Sequence, residues 1–140
     1  MSRFRSLLTL STIPTANDFG LLVLRVWLGG SMAALHGLGK LQRLQSGGAF
    51  MDPFGLGSTA SLGLSTSAEL LAAVLLVFGL ASRWTAALTA VNMVVAFALA
   101  HGGALTGDQS GELAFVYLAG FVTLLLTGPG RYSVDHAMTR

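Results

Sequence analysis

The sequence contains no cysteine. Disulfides, iron–sulfur clusters, thiolate metal sites and thiol–disulfide exchange are therefore excluded for this chain by itself. Charge is scarce too: Asp, Glu, Lys and Arg make up 10% of the 140 residues, where soluble domains carry about 25%. That is too little to cover a globular surface, and together with 53% hydrophobic residues and a mean hydropathy of +0.70 it indicates a membrane protein. The net charge of +2 comes from eight basic residues scattered along the chain. They form no patch of the kind that contacts nucleic-acid phosphates, so nucleic acid is excluded as a partner. Soluble nucleotide and nucleophile motifs are missing as well: there is no G-x-G-x-x-G, no Walker loop and no G-x-S-x-G.

What is present is a series of apolar runs. Crossing the ~30 Å hydrocarbon core takes about 20 mostly apolar helical residues. Runs at Phe19–Leu41, Leu64–Ala81, Trp84–Leu105 and Glu112–Thr127 meet or approach that length, and the last is closed by Gly128-Pro129-Gly130. None shows the period of two of a strand, and backbone groups in lipid must be satisfied within a helix or a closed barrel. The fold class expected is all-α, an integral membrane four-helix bundle over residues 19–128. Residues 1–18 read as a cytoplasmic or interfacial tail; the apolar part of Met1–Leu10 is too short for a signal peptide and no cleavage site follows it. Residues 43–63 are rich in Gly and Ser yet keep Phe50, Met51, Phe54, Leu56 and Leu62, which predicts an outer loop lying on the bundle as a lid. By the positive-inside rule, the side holding Arg3, Arg5, Arg83, Arg131 and Arg140 is cytoplasmic, so both termini and the 129–140 tail lie there, with Trp84 and Tyr132 as interfacial anchors.

The two halves echo each other. The order helix, His-Gly, loop, Ser-x-Glu-Leu, helix, Arg-aromatic occurs at His36-Gly37, Ser67–Leu70 and Arg83-Trp84, and again at His101-Gly102, Ser110–Leu113 and Arg131-Tyr132. Two two-helix repeats inserted in the same orientation would be related by an axis along the membrane normal.

Ionisable groups within spans cost free energy and are rare without a reason. Here His36 and Lys40, Glu69, His101 and Glu112 fall at one outer depth, at least one from each helix, as a site in a bundle centre requires. Arg25 lies eleven residues before His36 on the same stripe but deeper, and Thr123 lies eleven after Glu112 at a similar depth. Asn92, nine residues from His101, is half a turn out of phase and should face elsewhere. Gly29, Ala33 and Gly37 form a small-xxx-small run suited to close helix approach. Each polar residue also has a plainer reading. Thr66 and Glu69 fit a capping box, Glu112 sits in a first turn, and His36 and His101 in last turns, where the helix dipole favours them. Arg25 is either a snorkelling side chain or half of a buried ion pair, and Lys40 reads better as a snorkeller than as a base.

In the functional reading, His36, Glu69, His101 and Glu112 are the candidate proton-handling residues, with Arg25 and Lys40 completing the group that would hold a polar head group. A histidine titrates near neutrality and a neighbouring carboxylate stabilises its charged form. Such a set suits a quinone, whose carbonyls accept hydrogen bonds and then protons. No metal is expected, because the Glu-x-x-His spacing of di-iron bundles is missing and Lys40 adds a positive charge. A haem between His36 and His101 is disfavoured by the acids and Lys40 crowding that plane.

Leu24-Arg25, His36-Gly37-x-x-Lys40, Glu69-Leu70 leading to Gly79-Leu80-x-x-Arg83, the His101 helix, Glu112-Leu113-Ala114 and Gly128-Pro129-Gly130-Arg131 together resemble the DoxX family of small four-helix bacterial membrane proteins, from Phe19 to Val134. The family is similar to the membrane subunit of archaeal thiosulfate:quinone oxidoreductase. Its members are also described in oxidoreductase assemblies that link superoxide dismutase and a sulfurtransferase. The resemblance implies a subunit of a quinone-linked redox complex in a bacterial-type cytoplasmic membrane, with any thiol chemistry residing in a protein partner. Two other readings stay open from the residues: a non-catalytic scaffold or anchor for a larger complex, with further copies of itself among the partners, and a small-molecule permease.

Overall fold

The computed structural model describes residues 16–140, so the N-terminal tail with Arg3 and Arg5 lies, except for residues 16–18, outside the described residues. Every described element is helical. The order is α1 (Asn17–Gln45), α2 (Ser58–Phe78), α3 (Ser82–Ala100), α4 (Glu112–Thr127) and a short α5 (Val134–Met138). The first three are long and apolar enough to cross a membrane, and α4 is a shorter apolar helix.

The molecule is apolar outside. Trp27, Leu35, Leu64, Leu71, Leu88, Val91, Val116 and Leu126 are exposed, whereas Arg25, Ser65, Thr66, Glu69, Thr85 and Thr89 are buried. Water would penalise that outer face, and hydrocarbon does not. The buried hydroxyls are satisfied along their own helices: Thr66 donates to the Leu62 carbonyl at 2.7 Å and Thr89 to that of Thr85 at 2.9 Å. Met32, Leu76, Met93, Tyr117, Phe121 and Leu124 fill the centre.

α3 ends at Ala100 and not at Leu105, and two further boundaries differ from the expected ones. First, α1 runs on to Gln45, so His36 and Lys40 lie inside a helix and not in its last turn. Second, α2 begins at Ser58 and not at Leu64, which leaves residues 46–57 as the loop. The carboxylate of Asp52 accepts from the amides of Leu56 and Gly57 at 2.9 and 2.8 Å and from the Ser61 hydroxyl at 2.7 Å, pinning the start of α2. These bonds, the Ser61 hydroxyl first, hold Asp52 below the usual carboxylate range. Thr66 and Glu69 are therefore mid-helix, and no capping box forms.

α1 and α2 approach most closely along the small-residue run. A Cβ on Gly29 would stand 2.7 Å from the Ala73 carbonyl oxygen, and one on Gly37 would stand 2.7 Å from that of Glu69. At the other end of α2, Gly79 closes the helix in the left-handed region at φ 71°. A Cβ there would meet Arg25 Nη1 at 2.5 Å, so both backbone conformation and space demand glycine.

The chain ends after α4 are woven into this same end of the bundle. Arg131 N–H donates to Asp18 at 2.9 Å, and Asp135 accepts from the amides of Ala81 and Ser82 at 2.7 and 2.8 Å, capping α3 from outside it. Burial pushes the Asp135 carboxyl up, but the Ser82 and Ala81 amides and the charge of Arg25 outweigh it and hold it low. The starts of α1 and α3 and the ends of α2 and α4 thus share one end, so the four helices alternate in direction.

Candidate functional site

Near the opposite end lies a cavity of about 280 Å³, lined among others by His36, Lys40, Glu69, His101, Ser110 and Tyr117, with Met32, Met93 and Ala96 as its apolar wall. Four of the expected residues therefore come together. Glu69 is 3% exposed. Its Oε1 is paired with Lys40 Nζ and also accepts from Asn92 Nδ2 at 2.7 Å. Lys40 further donates to the Ser65 hydroxyl at 2.7 Å and sits 5.4 Å from the Phe50 ring centroid. That contact is a cation–π cover brought in by the 46–57 loop. Phe50 thus places the 46–57 loop against Lys40. A buried ion pair of this kind holds only when further hydrogen bonds satisfy its atoms. Here Glu69 Oε2 is buried without a partner.

The two histidines are held differently. Nδ1 of His101 is 3.0 Å from the Gln109 carbonyl, which can only accept, so Nδ1 carries a proton and donates to it. His36 packs edge-on against Tyr117 at 5.9 Å between centroids, and the Tyr117 hydroxyl donates to Ser31 at 2.8 Å. His36, Glu69 and His101 each occupy or adjoin a π-helical turn: Met32–Gly37 in α1, Ser67–Ala72 in α2 and Ala96–Ala100 in α3. Such turns are rare and appear frequently at functional sites. Three at one level, around one cavity, are the backbone signature of this site. Among the described residues, no three His, Asp or Glu side chains converge as a metal-binding group.

Several expected placements are corrected. Glu112 is the first residue of α4 and is exposed, outside the cavity, where Ser110 stands instead. Thr123 does share the stripe of Glu112, but that stripe is the outer face, and Thr123 bonds the Ala119 carbonyl at 2.9 Å. The inner face of α4 is Ala114, Tyr117, Phe121 and Leu124. Asn92 faces the site and not away from it. The π turn between Asn92 and His101 widens the helix and shifts the phase that a regular 3.6-residue period assumes.

Arg25 belongs to the other end. Eleven residues along α1 place it about 16 Å from His36. It is 1% exposed, and its Nε, Nη1 and Nη2 donate to the carbonyls of Val77, Pro129 and Tyr132 at 3.2, 2.7 and 2.5 Å. It neither snorkels nor touches the cavity, but latches α1 to the ends of α2 and α4. The two halves are also less alike in space than in sequence, since Glu69 lies deep in α2 while Glu112 starts α4.

An apolar exterior, helices of spanning length and a buried polar pocket near one end define a small multi-pass membrane protein. The chain belongs to the DoxX family, whose profile matches residues 20–102. The match covers α1 to α3 with His36, Lys40, Glu69 and His101, and stops short of α4. No curated protein and no solved structure matches the chain.

Proposed function

We propose that the protein is the membrane subunit of a quinone-linked oxidoreductase complex, and that the pocket between His36, Lys40, Glu69 and His101 receives the quinone head group and handles its protons. The observation that carries this reading is Glu69: a buried carboxylate with one oxygen saturated by Lys40 and Asn92 and the other unpartnered beside a cavity. Buried polar atoms without partners are uncommon and call for a proton or a ligand donor. The fit is chemical as well as spatial. About 280 Å³ lies at the lower edge of small-molecule sites and suits a single ring rather than an extended ligand. Lys40 Nζ and imidazole N–H groups offer donors, Glu69 Oε2 offers an acceptor, and Met32, Met93 and Ala96 provide an apolar wall. A quinone bound there supplies two-electron chemistry coupled to two protons. The chain's own part is to orient the head group, exclude water with the Phe50 loop and move protons at Glu69 Oε2 and His101 Nε2.

The protein belongs, on this reading, in a bacterial-type inner membrane with α4 as a fourth span, both termini cytoplasmic and a redox enzyme as partner. The permease reading is weaker, because Met32, Leu76, Phe121 and Leu124 form an apolar barrier between the pocket and Arg25. The test is purification in mild detergent, extraction of retained quinone, and thermal unfolding with a short-chain quinone. Saturation at a hundredfold over Kd stabilises a one-site protein by about 2.7 kcal/mol, and Glu69→Gln should abolish most of that gain. No retained quinone and no shift sinks the proposal. Glu69→Gln that leaves complex assembly and activity intact favours the scaffold instead.

A further inference from the structure

At the Arg25 end, the segment after α4 folds around a second, open cavity of about 440 Å³, lined by Arg131, Tyr132, His136, Ala137 and Arg140. Its side chains are of one sign: two guanidiniums and an imidazole line it, and no Asp or Glu does. The nearby acids are engaged elsewhere, Asp18 on the Arg131 amide and Asp135 on the amides of Ala81 and Ser82. Among the described residues, neither guanidinium enters an ion pair, and His136 Nε2 is buried with no hydrogen-bond partner. Residues 1–15 carry two arginines and no acid, so they bring no countercharge. Orientation alone would require basic residues at this end, but it would not gather them; Arg131 and Arg140 are both exposed. Here they converge on a concavity together with an unsatisfied buried nitrogen.

The position indicates what the cavity takes. It lies where α3 starts and α4 ends; Tyr132 lines it and Trp84 stands in the first turn of α3, and the two are 60% and 76% exposed. Such amphipathic aromatic side chains settle at the headgroup level. We propose that this cavity is a phosphate-binding site at the membrane surface, filled by the phosphate of an anionic lipid. Arg131 and Arg140 supply planar guanidinium donors matched to phosphate oxygens, and His136 donates from Nε2. Basic pockets at helix ends are suited to lipid phosphates in this way.

The full-length protein is reconstituted in nanodiscs of phosphatidylcholine alone, of phosphatidylcholine with phosphatidylglycerol, and of phosphatidylcholine with millimolar inorganic phosphate. Native mass spectrometry and thermal unfolding are read for each. Wild-type protein should retain phosphatidylglycerol in preference to phosphatidylcholine and unfold at a higher temperature with it. Arg131→Gln with His136→Gln should weaken the preference roughly tenfold, while Arg43→Gln at the opposite end leaves it unchanged. Arg140→Gln alone, at a side chain that holds nothing else in place, should give a smaller loss and controls for misfolding of the double variant. Stabilisation by inorganic phosphate that the double variant abolishes would also support the phosphate site, with a soluble phosphate and not a lipid as the carrier. A phosphatidylglycerol preference equal in all variants, or no response to either phosphate source, overturns the proposal.

Discussion

Arg25 and Glu69 are both charged and nearly fully buried, and they are satisfied in opposite ways. The planar guanidinium of Arg25 directs its donors to three backbone carbonyls, one at the end of α2 and two in the segment after α4. Removing it strands those carbonyls and unties α1 from the chain after α4. Arg25→Leu is expected to cost about 3–5 kcal/mol. Arg25→Lys should recover only part of this, because an ammonium cannot reproduce the fork. Thermal unfolding in detergent checks both, and melting curves superimposable on wild type would refute the latch. Glu69, by contrast, leaves one oxygen without a partner, which is why the proposed proton handling is assigned to it. The sequence shows both residues as anomalies in apolar runs but does not tell them apart, since a snorkelling, a latching and a reacting charge look the same in a one-dimensional pattern.

At the scale of elements, the site is built by helix deformation and close approach. Three π turns lie at one level, and the backbone of α1 at Gly37 touches that of α2 at Glu69. Gly37→Ala would place a Cβ 2.7 Å from the Glu69 carbonyl oxygen, whereas Gly39→Ala would meet nothing within 4 Å. The first should lose about 1–3 kcal/mol by overpacking. The second should be neutral or gain up to about 1 kcal/mol, because alanine is the better helix former. Denaturation of the two variants side by side checks this, and equal stabilities would show that α1 and α2 are looser than described. Small residues at four-residue spacing make the approach legible in sequence. The π turns are not, because they arise where packing against a neighbouring helix outweighs the regular ladder, and they are what brings Asn92 round to Glu69.

For the whole molecule, the inverted distribution of polarity fixes the environment, and the contacts of Asp18 and Asp135 fix which helix ends lie together. The proposed direction of insertion rests on the positive-inside rule applied to the arginines at that end. The absence of native cysteine makes it directly measurable. With both termini cytoplasmic, an impermeant maleimide should label Asp108→Cys in intact spheroplasts and Met138→Cys only after lysis. The reverse pattern would invert the topology, exchanging the faces on which the two cavities open.

The amino-acid sequence by itself determined the class of the protein, because the cost of exposing apolar side chains to water and backbone groups to lipid acts on composition and run length whatever the packing. It also marked His36, Lys40, Glu69, His101 and Glu112 as one layer, since depth along a span is simply residue number times rise. What only the tertiary structure decided was direction around the helix axis. Glu112 and Thr123 share a stripe, as their spacing of eleven residues implies, yet that stripe faces outward. Tyr117 and Asn92 reach the site from positions that the same periodicity assigns no role. A helical period states which side chains share a face; which face is inward depends on the neighbours packed against it.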